Sequence, residues 1–227
     1  MGGRRDPVEY AEGWSPAREL TASSTAAGLI LWGARPKGML IGMPIDPQFT
    51  IETPRLKLRQ WRDSDLAPFA QQNADPAVMQ FISGVLTQAE SDAYVEKAKL
   101  HLAHHGFCKW AVEAPGVSEF IGAVGLTYVK FDASFTPAVE VAWRLNRRYW
   151  GCGYATEAAQ AAIVDGFRRV GLTEIVSMTA LSNAASMKVM GRLGMLPDFE
   201  FDHPHHPEDD PLRRHVLYRL RRPAEAA

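Results

Sequence analysis

The stretch from Arg148 to Ala158, Arg-Tyr-Trp-Gly-Cys-Gly-Tyr-Ala-Thr-Glu-Ala, limits most sharply what this chain can build. An apolar-rich run, Ala138 to Leu145, precedes it and reads as a strand. After it Ala155, Ala158, Ala159, Ala162, Ile163 and Phe167 recur at helical spacing. The glycines therefore sit where a strand turns into a helix. Gly151 and Gly153 lack a Cβ, which permits positive φ and lets a ligand approach the backbone. The first N–H groups of a helix have no partner inside it, and the helix dipole adds partial positive charge there. Such a turn is an anion site, most often for phosphate, and Arg148 adds a fixed charge beside it.

Two familiar phosphate loops fit poorly. A Walker A loop needs Gly-Lys-Ser/Thr after its last glycine, whereas Tyr154 and Ala155 follow Gly153. A dinucleotide fingerprint needs a third small residue and an acid at the far end of the next strand. The third position here is Thr156, and the nearest acid, Glu174, opens that strand instead. A tight turn that binds nothing is the bland alternative, so the order of the surrounding elements must decide.

That order is regular from Thr50 onward. Arg55 to Trp61 alternates, with Leu56 and Leu58 on one face and Arg55, Lys57 and Arg59 on the other, which predicts a half-buried strand. Ser64 is placed to cap a helix towards Asn73, which Asp75-Pro76 ends. Thr87-Gln-Ala-Glu90 is a capping box for a second helix, stopped at Gly106. Strands are predicted over 107–113, 120–129, 138–145 and 174–181, and at 199–201 and 214–220. A third helix follows the glycines as far as Gly171, and Asn183 caps a fourth that ends before Gly194. The expected architecture is a mixed α/β (α+β) domain of order β-α-α-β-β-β-α-β-α-β-β. Residues 49–221 would form it, with 222–227 as a tail.

Residues 1–48 mix Gly, Pro, Ser, Ala and Arg without a sustained period, which predicts an irregular extension. Arg4-Arg5 has no apolar segment close behind it, and Met39 and Met43 both precede the patterned region. A start assigned too far upstream is one reading of this segment. The charge balance, with 25 basic and 26 acidic residues, gives no electrostatic reason to expect nucleic acid or an acidic membrane as partner. No apolar run approaches the ~20 residues of a membrane span. Only Cys108 and Cys152 occur, far apart, which suits a reducing, cytoplasmic compartment.

The glycine turn also fits a third loop, Arg/Gln-x-x-Gly-x-Gly/Ala, through Arg148, Gly151 and Gly153. Thr53-Pro54-Arg55-Leu56, Ile121-Gly122 and Glu140-Val-Ala-Trp143 occur in the matching order. Trp150 to Glu157 and Asn183-x-x-Ser186, with Gly194 beyond, complete the set. Together they make residues 50–221 resemble the GNAT superfamily of N-acetyltransferases, and within it the branch that includes bacterial ribosomal-protein N-terminal acetyltransferases. The resemblance implies a central, mostly antiparallel sheet splayed between the strands at 138–145 and 174–181. It implies acetyl-CoA as donor and a primary amine as acceptor, on a protein N-terminus or a small molecule. It also implies a monomer or homodimer that needs no metal.

By the same resemblance, Arg148 and the backbone of Gly151, Cys152, Gly153, Tyr154 and Ala155 would hold the CoA pyrophosphate. The pantetheine arm would lie in the splay, where an N–H of Val141, Ala142 or Trp143 could polarise the thioester. Asn183 would contact that arm. Glu140 is the candidate base, the alternative being a solvent-facing or cross-strand-paired carboxylate. Many members carry a tyrosine acid seven residues after the asparagine; Met190 stands there and has no proton to give. Ser186 is the candidate in its place, the alternative being a residue that only positions the sulfur or caps a turn. A thiol leaves with a pKa near ~8.5, so the help required is modest. His203, His205 and His206 read as a solvated loop rather than a metal site. Trp110, Trp143 and Trp150 read as core. A catalytically weak acyl-CoA-binding module of the same fold is the competing function.

Overall fold

The computed structural model describes residues 46, 48–82 and 84–223. The extension expected over 1–48 and the end of the tail therefore lie almost wholly outside the described residues. Strands β1 (Thr50–Glu52) and β2 (Lys57–Arg59) lead into α1 (Leu66–Asn73), α2 (Pro76–Met79) and α3 (Gln88–His105). Strands β3 (Lys109–Ala114), β4 (Ser118–Tyr128) and β5 (Val139–Leu145) come next. Helix α4 (Tyr154–Arg168), β6 (Glu174–Ala180), α5 (Ala184–Arg192), β7 (Leu196–Asp202) and β8 (Arg214–Arg221) complete the chain. The expected order is present, with a short leading strand and a one-turn helix added. Thr87 does form its capping box with Glu90, accepting from the Glu90 N–H at 3.3 Å while its own N–H reaches Glu90 Oε2 at 2.7 Å.

The eight strands of the described residues form one sheet in the order β1-β2-β3-β4-β5-β6-β8-β7. Every neighbouring pair is antiparallel except β5 and β6. Those two run parallel and share a single registered pair, Glu140↔Val176. By contrast β4 and β5 stay in register from Gly122↔Leu145 to Tyr128↔Val139. The sheet is thus split in its middle.

Side-chain alternation gives the two faces different cover. Val139, Val141 and Leu145 pack with Ala158, Ala159, Ala162 and Ile163 of α4 in the main core. On the opposite face Ala111 and Ala123 pack under Phe69 of α1 and Val95 and Ala98 of α3. The loop after β4 folds Phe135 onto Val176 and Leu217, a third cluster.

Three local expectations need correction. The alternation from Arg55 to Trp61 is regular strand only over Lys57–Arg59, and Arg59 does not face water. It is 2% exposed because Asp65 takes two of its nitrogens, at 2.7 and 2.9 Å, and Glu113 a third at 2.8 Å. Ser64 is not the cap of α1, since a 3-10 turn over Asp63–Asp65 precedes that helix. His203 and His206 are buried with His215 rather than solvated: His203 packs against Phe131 and Phe201, and His206 against His203 and His215. Aromatic partners from 131 and 201 supply that burial, which no local pattern in the histidine loop announces. Burial, reinforced by the neighbouring imidazoles, pushes the His203 pKa down to about 3.

Candidate active site

The glycine turn links a 3-10 turn at Arg147–Tyr149 to α4. Gly151 and Gly153 both have positive φ, +76° and +81°, which an L side chain adopts only under strain. Gly153 is the N-cap of α4, and the first α-helical bond runs from the Glu157 N–H to the Gly153 carbonyl at 3.1 Å. Among the described residues the N–H groups of 152–156 donate to no protein acceptor. Gly151, Cys152 and Gly153 are exposed, and Tyr154, Ala155 and Thr156 are half-buried. The loop has the form that an anion needs.

Arg148 is exposed, with its guanidinium 4.7 Å over the ring of Tyr149. Cys152 Sγ lies 3.6 Å from the Trp150 carbonyl. Trp150 does not join the core as expected. It is 45% exposed, because its indole N–H donates to the Leu145 carbonyl at 2.9 Å and holds the ring against the strand end. Trp110 is fully buried and Trp143 half-buried.

The order of contacts around the turn includes two side chains that sequence reasoning left without a role. Arg55 donates from Nη1 to the Cys152 carbonyl at 2.9 Å and from Nε to Glu157 Oε2 at 2.6 Å. Thr53 Oγ1 donates to Glu157 Oε1 at 2.7 Å. Burial alone would raise the Glu157 pKa, but these hydrogen bonds and the Arg55 charge bring it below its ordinary value. The partners lie 102 and 104 residues apart, so no local pattern could pair them.

Glu140, Ala142 and Arg144 face away from α4. Arg144 shows this directly, reaching Asn73 Oδ1 at 2.8 Å and lying 5.3 Å over the Tyr94 ring of α3. Glu140 is 21% exposed in its side chain, 4.0 Å from Lys109 Nζ on β3. Lys109 reaches it past Gly125, which separates Lys109 and Ala142 in the register. Glu140 is also the last point at which β5 touches β6, so the edge of β5 beyond it has no ladder partner on that side.

On the other lip of the split, Asn183 caps α5. Its Oδ1 accepts the Ser186 N–H at 3.2 Å, and its Nδ2 donates to Thr179 Oγ1 at 2.9 Å and Ser186 Oγ at 3.1 Å. The amide orientation follows from the first bond, since a backbone N–H can only donate. Ser186 Oγ is then an acceptor towards Asn183, and its own proton remains available to another atom. Met190, one turn on, is 1% exposed and belongs to the core. Among the described residues no cluster of three or more metal-ligating side chains is placed to hold an ion, and no helix is long and apolar enough to cross a membrane.

The family model described as Acetyltransferase (GNAT) domain matches residues 55–196, the region that carries the turn, the split and both lips. The chain belongs to the GNAT acetyltransferase family. Among curated proteins, this GNAT enzyme is 32% identical over 146 residues to the uncharacterized N-acetyltransferase YnaD of Bacillus subtilis. That match spans 64% of this chain and 81% of the relative. It is 31% identical over 160 residues to the FsC-acetyl coenzyme A-N(2)-transacetylase of Aspergillus fumigatus, covering 67% of each chain. Its fold is similar to that of RimL, a ribosomal L7/L12 alpha-N-protein acetyltransferase solved in complex with coenzyme A. The TM-score there is 0.62 at 18% identity, over 76% of this chain and 98% of RimL. GNAT acetyltransferases use acetyl-CoA, and the expected acetyl-transfer class stands.

Proposed function

We propose that this chain moves the acetyl group of acetyl-CoA onto a primary amine by direct attack within a ternary complex. The observation that carries this reading is the juxtaposition of a phosphate-ready glycine turn with a sheet split at a single β5–β6 bridge. Residues 49–221 are the unit that does so, in a reducing, cytoplasmic setting that suits two free cysteines. The pyrophosphate sits on the N–H groups of Gly151 to Ala155, with Arg148 adding charge at its edge. The pantetheine arm enters the split, and an N–H of Val141, Ala142 or Trp143 takes the thioester oxygen as charge builds on it.

The acceptor arrives on the face that Glu140 shares with α1 and α3. Glu140 removes the ammonium proton, directly or through water, and the free amine attacks the carbonyl carbon. As the C–S bond breaks, the nitrogen loses its second proton to solvent and Ser186 passes its proton to the departing thiolate and regains one from solvent, while Asn183 orients that hydroxyl and borders the arm. The products are an N-acetylated amine and CoA.

An acceptor screen with free-thiol detection, using peptides and small amines side by side, tests this. Turnover with one class of amine is expected. Tight CoA binding with no turnover on any amine would replace the reading with a catalytically weak acyl-CoA-binding module.

A further inference from the structure

Arg55 stands between β1 and β2, yet it touches the glycine turn at three residues. Its backbone N–H and Nε hold the two oxygens of Glu157 at 3.0 and 2.6 Å. Its Nη1 holds the Cys152 carbonyl at 2.9 Å. Its guanidinium lies 4.9 Å over the ring of Tyr154. The Arg55 side chain is 50% exposed and that of Glu157 17%, so this is a half-buried pair at the rim of the fold rather than a core ion pair.

What the contacts do fix is the peptide between Cys152 and Gly153. In a trans peptide the C=O and the N–H point in opposite directions. With the Cys152 oxygen held on the Arg55 side, the Gly153 N–H is turned to the opposite side of the loop. The same arginine offsets Glu157, whose carboxylate sits in the first turn of α4, where a bound anion would meet it. A carboxylate there is unfavourable for a phosphate ligand unless a cation accompanies it.

We infer that Arg55 is a positioning residue for the donor: it sets the glycine turn in its pyrophosphate-binding form and screens Glu157 from the ligand. This rests on the pyrophosphate assignment proposed above. It follows that Arg55 matters only for donors that carry the pyrophosphate.

The test compares CoA with pantetheine, which has the same thiol arm and no pyrophosphate, by calorimetry on the full chain. For Arg55→Gln the affinity for CoA should fall by about tenfold or more, as expected for losing charge-assisted hydrogen bonds. The affinity for pantetheine should not move in the folded variant, which separates a donor effect from any loss of stability. Arg55→Lys keeps a charge facing Glu157 but lacks the planar fork that spans two acceptors, so it should recover only part of the loss. It also carries the test should Arg55→Gln fail to fold.

Unchanged CoA affinity in either folded variant, or an equal loss for CoA and pantetheine, would overturn the inference. Equal affinity of the wild type for CoA and pantetheine would overturn the pyrophosphate assignment itself, a distinct outcome.

Discussion

Gly153 allows the pyrophosphate assignment to be tested by two substitutions that share a backbone cost and differ in charge. At φ +81° any L residue is strained by about 1–2 kcal/mol. A Cβ there would lie 3.3 Å from Arg55 Nη2, the far end of a half-exposed side chain that can yield a few tenths of an ångström. For a domain of this size that strain lowers Tm by roughly 2–8 °C. The strain is present with and without ligand, so Gly153→Ala should lose stability while its CoA affinity changes little. Gly153→Glu pays the same strain and adds a negative charge at the turn, on a side chain whose Cβ starts on the Arg55 side. At roughly 5 Å and an effective dielectric of about 40, each pair of unit charges repels by about 1.7 kcal/mol. Two charges on the pyrophosphate give about 3 kcal/mol, a loss of affinity of roughly 200-fold relative to Gly153→Ala. Arg55, beside the new side chain but shared with Glu157, offsets part of that repulsion, so roughly 200-fold is the upper end of the expected loss. Calorimetry with CoA at low salt measures the gap, and the gap should narrow near 1 M salt, where the screening length falls to about 3 Å. A folded Gly153→Glu protein that binds CoA as well as Gly153→Ala would refute the assignment.

Glu140→Gln should lower kcat/KM by about 10²-fold, partly restored as pH rises and more amine arrives deprotonated; Ser186→Ala should cost less and show no such rescue. Rates like wild type for Glu140→Gln across the pH range would exclude it as the base. Asp65→Ala strips two hydrogen bonds from buried Arg59 and should cost about 3 kcal/mol, the low end for a broken buried pair because Glu113 remains. A Tm within a degree of wild type would contradict that. His203, with a pKa near 3 against an ordinary value near 6.5, binds fewer protons folded than unfolded between those limits. Stability should therefore fall as pH drops below about 6.5, and thermal scans of His203→Phe should show a shallower fall. A chain starting at Met43 should melt and bind CoA like the full chain; insolubility or a large drop in Tm would show that residues 1–42 pack on the domain.

Where a residue's fate is decided by its near neighbours in sequence, the chain was legible. The apolar spacing from Ala155 to Phe167 marked α4, and Thr87 with Glu90 marked the start of α3 within a residue. Period-two alternation also marked Leu56 and Leu58 as buried, and both are. The same alternation put Arg59 in water, because a period cannot distinguish a solvated cation from one neutralised by partners elsewhere. Asp65 and Glu113 lie six and 54 residues away from it. His203 and Trp150 misled in opposite directions for one reason: burial of an aromatic ring depends on which other segments arrive beside it.

The same distinction separates the two halves of the site. The proposed donor half is made of backbone: N–H groups at a helix start, a strand edge left without a ladder partner, and glycines whose conformation permits both. Backbone geometry is enforced by a few residue types at fixed spacing, so it leaves a pattern in one sequence. The proposed acceptor half draws on side chains that the fold collects on the face opposite α4, from α1, α3, β3 and β5. Glu140 gains its neighbour Lys109 only because Gly125 lies between the two strands that carry them. Nothing near 140 in the sequence encodes that neighbour. A chain can therefore declare that it carries acetyl-CoA through a handful of glycines, while the identity of the amine is distributed over residues that meet only after folding. It follows that substitutions at the glycine turn should alter donor affinity alike for every acceptor. Changes at Lys109 or Arg144 should instead reorder the acceptor panel and leave CoA affinity unmoved.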